Sequence, residues 1–335
     1  MNRTYRILLS APYMLPEYER FRPIFRALGL DVVRASVEER LSEEELLQYA
    51  GGVDGVICGD DRFSRRVLRE FAPQLKVISK WGTGLDSIDR AAAEDLGVQV
   101  RNTPGAFTHA VADTVLGHVL SFARRIPWMD GDMKSGRWRK LPNPALRECS
   151  LGVVGVGDIG KAVLRRAGAF GMRLLGNDIV DVGQGIVEQT GVAMLPLPDL
   201  LSAADYVSLN PDLNPTSRHL INADTLAVMR ESAVLINTSR GPVVDESALV
   251  DALRGGQIRG AALDVFEEEP LPLDSPLRGM ENVLLSPHNA NSSPAAWERV
   301  HWNTLRNLLI GLEARVEEPL KSEIEEKSSA PDEGE

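Results

Sequence analysis

The chain has 335 residues, enough for two ordinary domains, and its 43% hydrophobic and 25% charged residues are the balance of a globular protein with real cores. Net charge is −11, of which residues 317–335 hold −6 (eight acids, two lysines), and the remaining body has no basic stripe, so nucleic acid is excluded as a partner. No run approaches the roughly 18 apolar residues of a membrane span, and the distant Cys58 and Cys149 without a CxxC argue against a zinc site or disulfide framework and suit the cytoplasm.

The N-terminal MNRTYRILLSAPYMLPEYER lacks a long apolar region and a small-residue cleavage site, and reads as a first strand and turn. YRILLS (5–10), DGVIC (54–58) and KVIS (76–79) read as strands, with RFRPIFRALG and SEEELLQYA as helices between them. Ser42 with Glu45 three residues on makes a capping box for the second helix. RNTPG marks a turn, and FTHAVADTVLGHVLSFARRI (107–126) then carries a long helical stripe. A second alternating series follows. LGVVG (151–155), MRLLGND (172–178), YVSLN (206–210), AVLINTS (233–239), GAALDVF (260–266) and NVLLSP (282–287) read as strands, separated by helices such as KAVLRRAGAF and DESALVDALRGG. PAAWERVHWNTLRNLLIGL closes the body as a helix, and 317–335 reads as a disordered, solvating tail. This alternation is that of βαβ units and parallel sheets. The cut near 102–105 and the return near 290 predict a central domain, 103–290, inserted into an outer one made of 1–102 and 291–316.

LGVVGVGDIG sets Gly155, Gly157 and Gly160 in GxGxxG spacing between a strand and a helix. The first glycine permits the turn, the second lets backbone approach a pyrophosphate, and the third allows close helix–strand packing. The motif alone is weak, but here the next strand ends in Asp178, placed to take ribose hydroxyls. No Arg or Lys follows it in IVDVGQG, and Asp181 adds negative charge, so NAD is expected rather than its 2′-phosphorylated form.

A base, an acid and an imidazole then stand just beyond three strands: Arg240 after 233–239, Glu269 after 260–266 and His288 after 282–287. Each alone reads as an ordinary wet-loop residue. Together, at the strand ends where such sheets bind ligands, they suit one chemistry. Oxidising an alcohol by hydride transfer to NAD⁺ needs a base for the hydroxyl proton, reduction needs the same group as an acid, and His serves both near neutrality. A carboxylate fixes the imidazole's tautomer, and an Arg fork grips a substrate carboxylate.

On KWGTGLDSID, NTPGAFTHAVAD, LGVVGVGDIG, LINTSRGPVVDESAL, GAALDVFEEEP and SPHNA, in that order over roughly residues 50–312, the chain resembles the D-isomer-specific 2-hydroxyacid dehydrogenase family. The resemblance implies an α/β architecture, a Rossmann-type NAD-binding domain inserted into a smaller flavodoxin-like substrate domain, with closure excluding water. It implies that Arg240, Glu269 and His288 are catalytic, that Asp158, Ile159, Asp178, Thr238 and Asp264 contact NAD, with Asp264 at the nicotinamide amide, and that the Gly82–Thr83–Gly84 backbone receives the substrate carboxylate. Expected substrates are D-2-hydroxy acids and their 2-keto acids of phosphoglycerate, hydroxypyruvate or glyoxylate type, with no metal. A homodimer is expected, GRW (136–138) lying in the arm segment of family dimers, although a Trp buried in its own core reads equally well. The departures bear on substrate: Gly59 stands where phosphoglycerate-type members carry an Arg, Asp60 and Asp61 follow it, Trp81 fills a position often smaller, and Asn210, Asn289 and Asn291 depart near the cofactor and the His. Two other classes share the fold: an NAD(H)-sensing interaction protein, and a formate- or phosphite-type dehydrogenase.

Overall fold

Two parallel sheets account for the alternation of apolar and amphipathic runs. The computed structural model describes residues 4–329. One unit runs to Ala106 and resumes at Ser293, and the other is Phe107–Ser292, against the cuts at 102/103 and 290/291 read from sequence.

The first unit holds β1 (Tyr5–Leu9), β2 (Leu30–Arg34), β3 (Gly55–Cys58), β4 (Val77–Lys80) and β5 (Gln99–Arg101), in spatial order β2-β1-β3-β4-β5 and parallel throughout. This is the flavodoxin-like order. β3 and β4 are buried at every residue because helices cover both faces, which is why they read as unbroken apolar runs. β2 and β5 escaped the sequence reading for the converse reason. They are the sheet's edges, and most of their residues are only half-buried or exposed.

The helix Pro294–Gly311, started by the Ser293 hydroxyl accepting the Ala296 N–H, belongs to this unit and buries His301 and Trp302. The Trp81 indole N–H donates to His301 Nδ1 at 3.0 Å. Burial lowers the His301 pKa to about 4, with Glu298 and Glu17 pulling it up and Arg20 adding to the fall. An unfolded His takes its proton near 6.5, so His301 stabilises the fold fully above that pH and the contribution is lost as pH falls from about 6.5 toward 4. We expect the gap in unfolding free energy between wild type and His301→Gln, followed by urea titration, to shrink by on the order of 2 kcal/mol across that window. A gap independent of pH would reject the role.

Residues 320–328 correct the expectation of a disordered tail. Leu320–Ser328 is a helix with Ile324 3% exposed and the Lys327 ammonium 4.5 Å above the Trp302 ring. Leu320 and Ile324, four apart, give the segment the apolar contact that its low overall apolar content concealed. Residues 330–335, also part of the expected tail, lie outside the described residues.

The second unit holds β6 (Ser150–Val154), β7 (Arg173–Asn177), β8 (Ala193–Met194), β9 (Tyr206–Leu209), β10 (Val234–Asn237), β11 (Gly260–Leu263) and β12 (Val283–Leu285). Their order, β12-β11-β10-β9-β6-β7-β8, is the doubly wound arrangement, and every pairing is parallel. Strand order reverses at β6, between β7 and β9, so the crevice of this Rossmann-type sheet opens at the loop after β6. The two exposed residues of β8 carry too little pattern to be read from sequence. β11 ends at Leu263, so Asp264–Phe266, expected as strand, begin the loop that carries Glu269. Among the described residues no helix is long and apolar enough to cross a membrane.

Candidate active site

The loop after β6 is shaped by what its glycines leave out. Gly155 has φ +85°, and a Cβ there would lie 2.7 Å from the Pro211 nitrogen. A Cβ on Gly160 would run into the Gly155 carbonyl, whereas one on Gly157 would meet nothing within 4 Å. The loop is therefore tight where chain meets chain and open where a phosphate would approach. Gly157 is the N-cap of the helix Asp158–Ala169, whose first turn offers unpaired N–H groups and the positive end of the helix dipole. Asp158 is exposed on that turn, and Ile159 is half-buried against the unit's core.

Asp178, just beyond β7, has a structural duty that sequence did not show. Its Oδ2 accepts the Val156 N–H at 2.6 Å, tying the glycine loop to the neighbouring strand end, and its Oδ1 accepts the Val180 N–H at 3.1 Å. A carboxylate oxygen has two lone pairs, so ribose hydroxyls can still bond to it. Thr238, beyond β10, is 9% exposed, and its Oγ1 is buried without a hydrogen-bond partner in the protein. A buried hydroxyl at the carboxyl end of a sheet strand, with its hydrogen-bonding capacity unused, can take a bond from a ligand. The open Gly157, the helix N-terminus, Asp178 and the Thr238 hydroxyl thus fit a bound dinucleotide.

Arg240, Glu269 and His288 stand on this same unit, each in a loop following a strand. His288 Nδ1 lies 3.1 Å from Glu269 Oε2, and Glu269 Oε1 accepts the Phe266 N–H at 2.9 Å. The two side chains are 21% and 16% exposed, dry enough to strengthen their bond yet open to a ligand. With the carboxylate ionised, Nδ1 carries the proton and Nε2 is the basic nitrogen of the ring. His288 has φ +49°, an uncommon conformation for a non-glycine residue that must be held by its surroundings. The holder is Asp264, 1% exposed. Its carbonyl accepts the His288 N–H at 2.7 Å, its Oδ1 accepts the Ser286 hydroxyl at 2.6 Å and the Asn289 N–H at 2.9 Å, and its Oδ2 accepts the Ala290 N–H at 2.8 Å.

Arg240 is anchored through its backbone. The Asn237 amide donates to the Arg240 carbonyl at 2.9 Å, and Arg240 Nη1 donates to the Ser239 carbonyl at 2.8 Å. Gly241 follows, and a Cβ there would collide with the backbone of Phe266 and Glu267. That bare position lets the Arg240 loop press against the loop bearing Glu269, a role invisible in the sequence because RGP reads as a plain turn. His118, on the helix Thr108–Arg124, was also missed. Its Nε2 is buried without a partner, and burial holds its pKa below the usual imidazole value against the pull of Asp264. Its only signal was a His inside an apolar helical stripe, which reads as packing.

Gly82–Thr83–Gly84 stand on the other unit, directly after β4. The Thr103 N–H donates to the Gly82 carbonyl at 3.0 Å and the Asn102 amide to the Thr83 carbonyl at 2.6 Å. Among the described residues no group of three His, Cys, Asp or Glu is placed to hold a metal ion.

Residues 116–290 match the model of the family described as D-isomer specific 2-hydroxyacid dehydrogenase, NAD binding domain. A glyoxylate reductase of Thermofilum pendens is 39% identical over 85% of this chain and 86% of its own length. A D-3-phosphoglycerate dehydrogenase of Methanocaldococcus jannaschii is 38% identical over 79% of this chain but only 51% of its own, so this chain spans about half of that relative. Among solved structures, D-lactate dehydrogenase from Aquifex aeolicus complexed with NAD and lactic acid superposes with a TM-score of 0.80 at 26% identity, over 90% of this chain and 93% of that one.

Proposed function

The chain belongs to the D-isomer-specific 2-hydroxyacid dehydrogenase family and is an NAD-dependent oxidoreductase, and from that premise we propose that it interconverts a D-2-hydroxy acid and its 2-keto acid with His288 as the proton donor and acceptor. The observation that carries the assignment is the 3.1 Å contact of His288 Nδ1 with Glu269 Oε2, which fixes the tautomer and leaves Nε2 to the substrate oxygen. Glu269 is the positioning carboxylate, itself held by the Phe266 N–H. Arg240 grips the substrate carboxylate and polarises the carbonyl under reduction. The Gly82 and Thr83 carbonyls are already engaged, so what their loop offers that carboxylate is its N–H groups. Gly155, Gly157, Asp158, Ile159 and Gly160 seat the dinucleotide's phosphates, Asp178 its ribose, and Thr238 its nicotinamide end.

Bound NADH supplies the hydride that reaches the keto carbon. The chain does the rest: Arg240 orients the acid, His288 Nε2 delivers the proton to the carbonyl oxygen, and Glu269 faces the imidazolium that forms when the reaction runs toward the keto acid. The test is NADH absorbance with purified protein against glyoxylate, hydroxypyruvate, pyruvate and longer 2-keto acids. Absence of turnover in all of them, with NADH still bound, would reject the proposal.

Two further outcomes follow from the same reading. Asp178→Ala should lower the ratio of kcat/KM with NADH to that with NADPH by about tenfold, since it removes both the ribose acceptor and the charge repelling a 2′-phosphate. An unchanged ratio would confine Asp178 to its bond with Val156. Trp138 is 78% exposed, Met133 and Ile126 are each 53% exposed, and these apolar side chains support a homodimer joined through the arm at 136–138, while the two separated cysteines suit the cytoplasm. Sedimentation as a monomer at micromolar concentration would reject the dimer.

A further inference from the structure

At the carboxyl end of the first unit's sheet, three rings stand in mutual contact. Tyr13, beyond β1, lies 5.0 Å from Trp81, the residue after β4, and 5.0 Å from Trp297, near the start of the helix Pro294–Gly311, while Trp81 and Trp297 are 5.8 Å apart. Trp81 is 3% exposed and its indole is fixed by His301; Tyr13 and Trp297 are half-buried. The residue after Trp81 is Gly82, which opens the loop given above to the substrate carboxylate.

The ammonium beside these rings is already paired. Lys80 Nζ, 3.9 Å from where a Gly82 Cβ would stand, is paired with Asp60 Oδ1 at 2.7 Å, and the Lys80 side chain is 3% exposed. Asp61, fully buried next in the chain, accepts the Ser10 hydroxyl and, at 2.7 Å, the Leu41 N–H. At position 59 no cation can be carried without moving Pro12, because a Cβ there would lie 2.8 Å from Pro12 Cδ. A phosphate needs an Arg fork or an uncompensated ammonium, and here it would meet the Asp60 carboxylate instead. An apolar group would be covered by ring faces, where its burial is favourable.

We propose that Tyr13, Trp81 and Trp297 form the seat for the substrate's side chain, and that the seat takes an uncharged apolar group and rejects a phosphorylated one; this rests on the function proposed above. The preferred acids are then unphosphorylated, branched or aromatic 2-keto acids. His301 acts as a positioning residue by holding the Trp81 indole.

NADH oxidation by the full chain with 2-oxo-4-methylpentanoate, glyoxylate and 3-phosphohydroxypyruvate tests this. Wild type is expected to favour 2-oxo-4-methylpentanoate over the phosphorylated acid by roughly a hundredfold in kcat/KM. Trp297→Ala and Tyr13→Ala should each lower the ratio of kcat/KM for 2-oxo-4-methylpentanoate to that for glyoxylate, which has no side chain to seat, by about tenfold. A purely structural role would depress both substrates together, and an unmoved ratio in both variants overturns the seat. Wild-type preference for 3-phosphohydroxypyruvate overturns the seat and leaves the dehydrogenase reading standing. No turnover of any of the three with NADH bound overturns that reading and the seat with it.

Discussion

His288→Ala is expected to lower kcat about a thousandfold in the reductive direction while NADH affinity, read by quenching or energy transfer from protein fluorescence, stays within about twofold. The asymmetry follows from where the side chain sits. His288 reaches Glu269 across 3.1 Å at the ends of β11 and β12, whereas the dinucleotide loop follows β6 on the far side of β10 and β9. Removing the imidazole deletes the proton donor without touching Gly157 or the Asp178 carboxylate. Glu269→Gln keeps the shape, but its single carbonyl oxygen can accept from only one of the Phe266 N–H and the His288 Nδ1–H, so the imidazole loses both the facing charge and its fixed tautomer and a large loss of turnover is expected. Equal losses of turnover and NADH binding in His288→Ala would show that the loop, not the proton, had been lost. Unchanged turnover would remove His288 from the chemistry altogether.

That the contact of His288 with Glu269 could be expected from the sequence shows what is legible in a chain of this kind. A buried parallel strand is a short apolar run, and a doubly wound sheet places its functional groups in the loops that follow such runs. The positions of Arg240, Glu269 and His288 were therefore readable, as were the glycines at 155, 157 and 160. Contacts between loops were not. Nothing local marks Gly241 as the place where two backbones press together, and nothing in the GAALDVF run tells whether Asp264 faces a cofactor or the chain. Three of the four edge strands failed for a related reason: β2, β5 and β8 have neighbours on one side only and few buried residues, whereas the edge strand β12 keeps the apolar run VLL. The tail failed because composition averages over a segment, while a helix such as Leu320–Ser328 needs only one buried face.

Asp264 is where the two roles can be separated, and Asp264→Ala is expected to be costly. The carboxylate is 1% exposed and accepts the Ser286 hydroxyl and the Asn289 and Ala290 N–H groups, so its removal strands three donors where little water reaches. Each unsatisfied group costs about 1–3 kcal/mol, and partial relaxation of the loop makes a total of roughly 3 kcal/mol the expected loss of stability in denaturant titration. Turnover should fall with it, because the loop that holds His288 at φ +49° loses its anchor. Ser286→Ala supplies the graded control: it removes one donor and leaves both backbone N–H groups bonded to the acid, so about 1 kcal/mol is expected and most of the turnover should remain. The family resemblance assigns Asp264 to the nicotinamide amide, and that contact remains open to it because Oδ2 is committed only to the Ala290 N–H and has a second lone pair. The two duties leave different marks. Loss of the clamp lowers stability without any cofactor present, whereas loss of the amide contact alone raises the NADH dissociation constant and leaves apo-stability where it was. An Asp264→Ala protein as stable as wild type would reject the clamp, and His288 would then owe its unusual backbone to something other than this carboxylate.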